Sequence, residues 1–390
     1  MRRRRQVVQF GFLALTLVAV FVLRAHAELW CPFGGIEALY GFFSGDGMPC
    51  SLAISNLYIL AAILLLTLVA GRVFCSYACP IGTLSEWVQR AASRFGLRPR
   101  RVPHRLDRAL GYLRFGVLAA ILVLTYRTGE LIFRGFDPCY ALLSRHGEDI
   151  TYWAYGVAGA IVAGSLWARI PFCRWLCPLA AVLHPFSRFA IARIHRDETP
   201  CIACGRCAVV CPAHLPVDRV TRVSSGDCTS CFECLHACPA RARGALRWGP
   251  RRGRWSPATA IGLLLLSVGA AVAAAQLFPV PSFRYERGVM PEETARLALT
   301  VEGLTCRGRG TLLAFFLDRD DELRIPGYLA LEAWPDPLRA RIVLTYDPSL
   351  IDEQGIKLAL TEATFDLVEN RWRASPFRIE GFDPLKDLGL

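Results

Sequence analysis

Sixteen cysteines stand in this chain of 390 residues, and eight of them fall into two runs of one spacing. "CIACGRCAVVCP" holds Cys201, Cys204, Cys207 and Cys211 ahead of Pro212, and "CTSCFECLHACP" holds Cys228, Cys231, Cys234 and Cys238 ahead of Pro239. Each reads C-x2-C-x2-C-x3-C-P. Three thiolates on so tight a loop wrap one face of a [4Fe–4S] cube, and the fourth, beyond the turn, reaches the neighbouring cube. The spacing predicts one cluster on Cys201, Cys204, Cys207 and Cys238, and a second on Cys228, Cys231, Cys234 and Cys211. A zinc ribbon uses two C-x2-C pairs rather than two runs of four.

Four more cysteines form a second pattern. "FCSYACPIG" carries Cys75 and Cys79, "FCRWLCPLAAVL" carries Cys173 and Cys177, and each follows an apolar run. On a helix, C-x3-C puts both thiols on one face about one turn apart. Two such helices side by side would gather four sulfurs around one point, enough for a metal or a third cluster. The alternatives are small residues packing a helix junction, or a redox-active thiol pair. Cys31, Cys50 and Cys139 stand apart from these motifs. A Cys31–Cys50 disulfide is one expectation for them and an external redox or metal site another; Cys139 reads equally as a partly buried thiol.

The elements that must position these residues are apolar. Hydrophobic residues make up 53% of the chain. Windows near 7–23, 52–70, 111–126, 152–168 and 258–276 have roughly the 17–25 residues needed to cross about 30 Å of hydrocarbon. Net charge is +12, but the basic residues are not spread evenly. "MRRRR" opens the chain, 71–110 has eight Arg against two acids, and 240–255 has six Arg and no acid. By contrast, 24–51 has one Arg against three acids and 127–151 has three Arg against four. This alternation is the positive-inside pattern. It predicts a cytoplasmic N-terminus, 71–110 and 169–257, with 24–51, 127–151 and 277–390 outside. The charge thus reports topology rather than a nucleic-acid partner. "MRRRR", the apolar run and "AHA" before Glu28 also resemble a signal peptide; the length of the run favours an uncleaved first span.

The expected architecture is an α-helical membrane protein of about five transmembrane helices, with a cytoplasmic two-cluster ferredoxin insert and a C-terminal α+β ferredoxin-like sandwich. Its parts are a first transmembrane helix in 1–27, a membrane core over 28–190, the ferredoxin insert at 191–248, a fifth helix at 258–276 and an external domain at 281–390. That last segment orders its strand-like and helical runs as β-α-β-β-α-β. The seven histidines include no C-x-x-C-H and no clear pair within one span, so each reads as an ordinary loop or interface residue.

From about residue 30 to 245 the chain resembles the NapH-type membrane polyferredoxins, whose relatives include the core of NosR and the oxidase-assembly protein CcoG. The matching words, in order, are "CPFGGIE", "GRVFCSYACPIG", "RVPHRLDR", "TGELIFRGFDPCYALL", "PFCRWLCPLAAVL" and the two ferredoxin runs. The resemblance implies a bacterial inner-membrane protein exchanging electrons between a quinol or cytoplasmic donor and redox partners across the membrane. It would act as an electron-transfer subunit or a quinol dehydrogenase, with no catalytic residue assigned. The resemblance also favours a redox or metal role for Cys75, Cys79, Cys173 and Cys177, with quinone as a further candidate cofactor. In the tail, "LTVEGLTCRGRG" and "VLTYDPSLID" resemble heavy-metal-associated domains. There the usual C-x-x-C has become Cys306-Arg307-Gly308-Arg309, and a lone thiolate is a weak site for a soft metal. Docking, or a thiol-redox role for Cys306, is the alternative. A copper-reducing assembly factor and a redox sensor remain as rival functions.

Overall fold

The computed structural model describes residues 2–22, 31–36, 39, 54–97, 99, 102–128, 136–143, 152–278, 281, 283–304, 307–319, 321–335, 340–366 and 371–382. Cys50 and Cys306 lie outside them. The chain divides into two compact units, Met1–Glu37 with Ser55–Gln276, and Ala38–Ile54 with Leu277–Leu390.

The first unit is built on apolar helices. They are α1 (Arg2–Leu17, continued by a π turn at Val18–Val22), α2 (Ile54–Ala70), the short α3 (Val73–Tyr77), α4 (Pro80–Arg94), α5 (His104–Thr128), the short α6 (Pro138–Leu143), α7 (Tyr152–Trp167), α8 (Pro178–Arg188) and α11 (Pro257–Leu277). Each of the five predicted windows falls on a helix over its described residues, the fourth ending at Trp167. Three helical stretches, Arg5–Val22, Arg105–Arg127 and Pro257–Leu277, are long and apolar enough to cross a membrane, and Ser55–Ala70 is a shorter apolar helix. Leu265 and Leu266 of α11 and Val123 and Leu124 of α5 are exposed, the arrangement a hydrocarbon solvent allows.

The two C-x3-C-P motifs differ from expectation in one respect. Neither is a continuous helix. The first cysteine lies in a short helical turn, Val73–Tyr77 or the π turn Phe172–Leu176. The second is extended, Cys79 at φ −65°, ψ 120° and Cys177 at φ −66°, ψ 116°, and is the N-cap of α4 or α8. The proline causes this. It forces the preceding residue out of the α region and then starts the next helix at N1. The two motifs are therefore near-copies in backbone as well as in sequence.

Between α8 and α11 lies the ferredoxin segment. Strands β1 (Arg193–Arg196) and β2 (Leu246–Gly249) pair antiparallel, with Ile194 opposite Trp248, and clasp its two ends. Within it lie the one-turn helices α9 (Arg206–Val210) and α10 (Glu233–Ala237). Its core is continuous with the helices, since Ile194, Val217, Phe232 and Trp248 share a buried cluster with Leu66, Val73, Tyr77 and Leu264.

In the second unit an antiparallel sheet runs in the order β3 (Phe283–Arg287), β5 (Leu329–Trp334), β6 (Ala340–Tyr346), β4 (Ala295–Glu302), β9 (Arg378–Ile379). Alternate residues of β5 and β6 are buried, as a sheet with one covered face requires. Leu313, Phe316 and Leu317 of α12 (Arg307–Leu317) and Ile356 and Leu360 of α13 (Glu353–Thr361) complete that core. Strand β3 and the antiparallel pair of β7 (Thr364–Asp366) with β8 (Arg371–Arg373) add to the elements read from sequence.

Candidate metal centres

The two cysteine runs fold into two copies of one loop. Ala203 (φ 53°) and Gly205 (φ 67°) take left-handed backbone in the first, and Ser230 (φ 49°) and Phe232 (φ 60°) do so at the same two positions of the second. Such turns aim successive N–H groups into a concavity that suits anionic sulfur. Glycine adopts this conformation freely, whereas Phe232 must be held there. It is buried, its ring centroid 4.9 Å from Trp248 and 6.4 Å from Tyr77.

Each run ends in an extended cysteine that caps its short helix, Cys211 after α9 and Cys238 after α10, again because proline follows. The turn sends that fourth sulfur away from its own loop. One cavity is consequently lined by Cys201, Cys204, Cys207 and Cys238. Another is lined by Cys228, Cys231, Cys234 and Cys211. The structure thus brings together the two crossed quartets that the spacing predicts. Among the described residues no three His, Cys, Asp or Glu side chains gather closely enough to hold one ion. Four thiolates on a single zinc would stand about 3.8 Å apart, and neither quartet presents that single-ion arrangement.

The two loops differ in surroundings. Ile202, Ala203, Cys204 and Arg206 of the first are exposed, while Thr229, Ser230, Phe232 and Cys234 of the second are buried. Burial pushes the Cys211, Cys228 and Cys231 thiols up to about 11 and Cys234 well above the ordinary range. Iron binds thiolate, so loading this quartet expels protons, and the iron charge is what holds buried sulfur as an anion.

The buried loop sits directly on the first C-x3-C-P motif. Ser76 Oγ donates to the Thr229 carbonyl at 2.8 Å, and Ser230 Oγ to the Ala70 carbonyl at 2.9 Å. Arg5 donates to Glu233 at 2.9 Å and to the Ser76 carbonyl at 3.3 Å, and it also pairs with Glu86. An arginine read from sequence only as a topology charge thus ties helix α1 to both cysteine motifs. Asp227, next to Cys228, accepts from Arg114 Nη1 at 2.5 Å, lies 3.3 Å from His184 Nδ1 and 3.7 Å from Arg72 Nη1. Burial alone would raise Asp227, but the His184 hydrogen bond and the Arg114 and Arg72 charges hold it well below the usual carboxylate range. At the second motif, Arg174 pairs with Asp107 and lies 3.3 Å from His214, three residues beyond Cys211.

Gly226 shows how close this docking is. A Cβ there would stand 2.3 Å from the His184 carbonyl. Gly226→Ala is therefore expected to cost about 3 kcal/mol, read as a fall of several degrees in the thermal transition. An unchanged transition would mean that the loop does not dock this tightly.

Below this contact a cavity of about 570 Å³ is lined by Cys75, Cys173, Cys231, Arg5, Glu86 and Arg169, among others. Cys79 and Cys177 are not in its wall. Burial pushes both up to about 12, with the nearby Cys75 charge adding to each. Cys139 is held well above the ordinary thiol range by burial, then by Asp137, Cys31, Cys79 and Cys177. The charge alternation puts Cys31 and Cys139 outside and the paired motifs at the cytoplasmic edge, and the structure sets Cys31, Cys79 and Cys177 within electrostatic reach of Cys139. The expected Cys31–Cys50 disulfide and the Cys306 site involve residues outside those described.

A family model described as a 4Fe-4S binding domain matches residues 52–102 and again 150–196, and a 4Fe-4S dicluster domain matches 193–239. YccM of Escherichia coli (strain K12), named as a candidate electron transport protein, is 29% identical over 222 residues, 54% of this chain and 61% of its own. An uncharacterized protein of Methanocaldococcus jannaschii, MJ0750, is 30% identical over 181 residues, covering 46% of this chain and 74% of its own. The chain belongs to the NapH-type polyferredoxin family. A NapH itself, the ferredoxin-type protein of Haemophilus influenzae, is 25% identical over 240 residues, 53% of this chain and 80% of its own. The polyferredoxin chain spans about three fifths of YccM's length. No solved structure matches it. The polyferredoxin carries 4Fe-4S binding domains, and the double match places one copy of a repeated unit on each C-x3-C-P motif.

Proposed function

We propose that this polyferredoxin conducts single electrons across the inner membrane, between a quinol or cytoplasmic donor and a membrane or periplasmic acceptor. The observation that carries the proposal is the succession of thiol sites: a quartet on an exposed loop, a quartet on a buried loop, and the paired C-x3-C-P cysteines directly beneath. In this reading Cys201, Cys204, Cys207 and Cys238 hold one [4Fe–4S] cluster and Cys228, Cys231, Cys234 and Cys211 the other. When bound, each cluster supplies reversible one-electron chemistry. The chain does the rest. Exposed Ile202 and Cys204, beside Arg206, form a contact surface suited to an acidic partner. Ser76, Ser230 and the Asp227 ion cluster hold the second loop against the paired motifs. Cysteines from among Cys75, Cys79, Cys173 and Cys177 contribute to a further centre, and this centre, or a quinone, shortens the remaining gap across about 30 Å of hydrocarbon.

Helices α1, α2, α5, α7 and α11 are the five spans in this reading, with the N-terminus and 191–248 cytoplasmic and 281–390 outside. The order β4-α12-β5-β6-α13-β9, with β4 between β6 and β9, supports a ferredoxin-like sandwich that serves docking. A copper-delivery role would need a thiol site around Cys306.

The test is electron transfer by the loaded protein in proteoliposomes, with dithionite outside and either a quinone analogue in the bilayer or ferricyanide trapped inside. Reduction of one acceptor, lost in Cys228→Ser, is expected. Reduction of neither by fully loaded protein would overturn the conduit and favour a redox sensor.

A further inference from the structure

We infer that Cys31, Cys79, Cys139 and Cys177 form one ligand set for a polynuclear iron–sulfur cluster, to which Cys75 and Cys173 do not belong. This rests on the conduit reading and names its missing step. The grouping does not follow the sequence motifs. Each C-x3-C-P pair is split, because proline turns the chain between its two cysteines: Cys75 and Cys173 line the polar cavity beneath the ferredoxin loops, and Cys79 and Cys177 cap α4 and α8 behind it.

Two other elements meet them there. Cys31 stands before a helical turn at 32–36, and its carbonyl accepts from Asn56 Nδ2 at 3.4 Å. It packs on the same apolar cluster as Cys177, formed by Phe33, Ile59, Ile63, Ile121, Leu179 and Leu183, which Cys75 also touches from the cavity side. Cys139 lies in α6, which packs against α4, the helix that Cys79 caps, and against α7. Electrostatically, the partners of Cys139 are Asp137, Cys31, Cys79 and Cys177. The set takes one cysteine of each C-x3-C-P repeat and one at the short helical segment that precedes each repeat, Cys31 just before 32–36 and Cys139 within α6.

The chemistry narrows what four thiols in this setting hold. A disulfide relay would use two of them. A single soft ion needs three or four donors within tetrahedral range, and no such group occurs among the described residues. The ferredoxin quartets do not meet that single-ion spacing either, although each lines a cavity of its own. Wider spacing of soft thiolates is what a polynuclear cluster requires.

The experiment compares iron and acid-labile sulfide per chain in anaerobically purified parent and three double serine variants. The parent is expected to exceed the roughly eight irons of two cubes. Cys31→Ser/Cys139→Ser and Cys79→Ser/Cys177→Ser should both fall to about eight, with the ferredoxin EPR signals intact, and Cys75→Ser/Cys173→Ser should keep the surplus. A surplus retained in Cys31→Ser/Cys139→Ser, or a parent at about eight, overturns the ligand set but leaves the conduit standing. A parent well below eight would strike the conduit reading itself. Should the double variant fail to assemble, Cys139→Ser alone is read by Mössbauer spectroscopy. One iron of this centre should then show an oxygen ligand, and an unchanged spectrum overturns the assignment.

Discussion

Cys211→Ser is expected to remove about four irons and to reproduce the EPR phenotype of Cys228→Ser, seventeen residues away, rather than that of its neighbour Cys207→Ser. Cys238→Ser should in turn match Cys201→Ser. The reason lies in the backbone. Pro212 and Pro239 hold the preceding cysteines extended, so Cys211 lines the cavity of the second run and Cys238 that of the first. The two losses should also differ in consequence. Losing the exposed quartet removes the partner-facing centre but leaves the docked loop packed. Losing the buried quartet leaves Cys211, Cys228, Cys231 and Cys234 as thiols in an apolar pocket, and the contact with α3 should loosen as well. Each variant is checked by iron content and by EPR of the dithionite-reduced protein. Identical phenotypes for Cys207→Ser and Cys211→Ser would refute the crossed arrangement.

Asp227→Asn should be the most damaging change that touches no cysteine. Arg72 is almost wholly buried and Arg114 nearly so, and Asp227 is the carboxylate between them. Removing its charge leaves two buried guanidinium groups uncompensated. The expected cost is about 3 kcal/mol, the low end for a broken buried pair, because 35% of the Asp227 side chain is still exposed. The docked loop begins at Cys228, so cluster content of the second quartet should fall first. The sign of the pH dependence follows from the lowered pKa of Asp227. A carboxylate depressed in the folded state contributes its full stabilisation above the unfolded value of about 3.9 and loses it as pH falls below that. The deficit of the variant should therefore be flat from pH 8 to pH 5 and shrink only below about pH 4. Thermal melts across that range check it; a deficit that varies around neutrality would point to His184 rather than to Asp227.

What could be read from the sequence was what spacing encodes locally. Three cysteines within seven residues and a proline after the fourth specify a loop, its turn and its crossing partner, so both quartets were legible before any fold. The apolar windows were legible for the same reason, since a helix records its solvent in consecutive residues. Arg5 was not. Its partners Glu86 and Glu233 lie 81 and 228 residues away, and an arginine in "MRRRR" looks like one of several topology charges. Asp227, Arg72 and Arg114 were missed likewise, as single charges whose meaning depends on which helices meet. The C-x3-C-P motifs were read as helix faces, because a spacing of four suggests one; proline chemistry, visible in the same words, decides otherwise. The charge alternation puts Cys31 and Cys139 in loops on the far side, and only tertiary packing brings Cys31, Cys79 and Cys177 within electrostatic reach of Cys139.

The central claim is that electrons pass from the exposed quartet through the buried one into the membrane core. Stopped-flow spectroscopy of Cys211→Ser in proteoliposomes with trapped ferricyanide tests it most directly. The account predicts that dithionite still bleaches the exposed cluster at the parental rate while ferricyanide inside stays oxidised. Parental reduction of the trapped ferricyanide by this variant would contradict the account, because electrons would then reach the interior without the buried quartet.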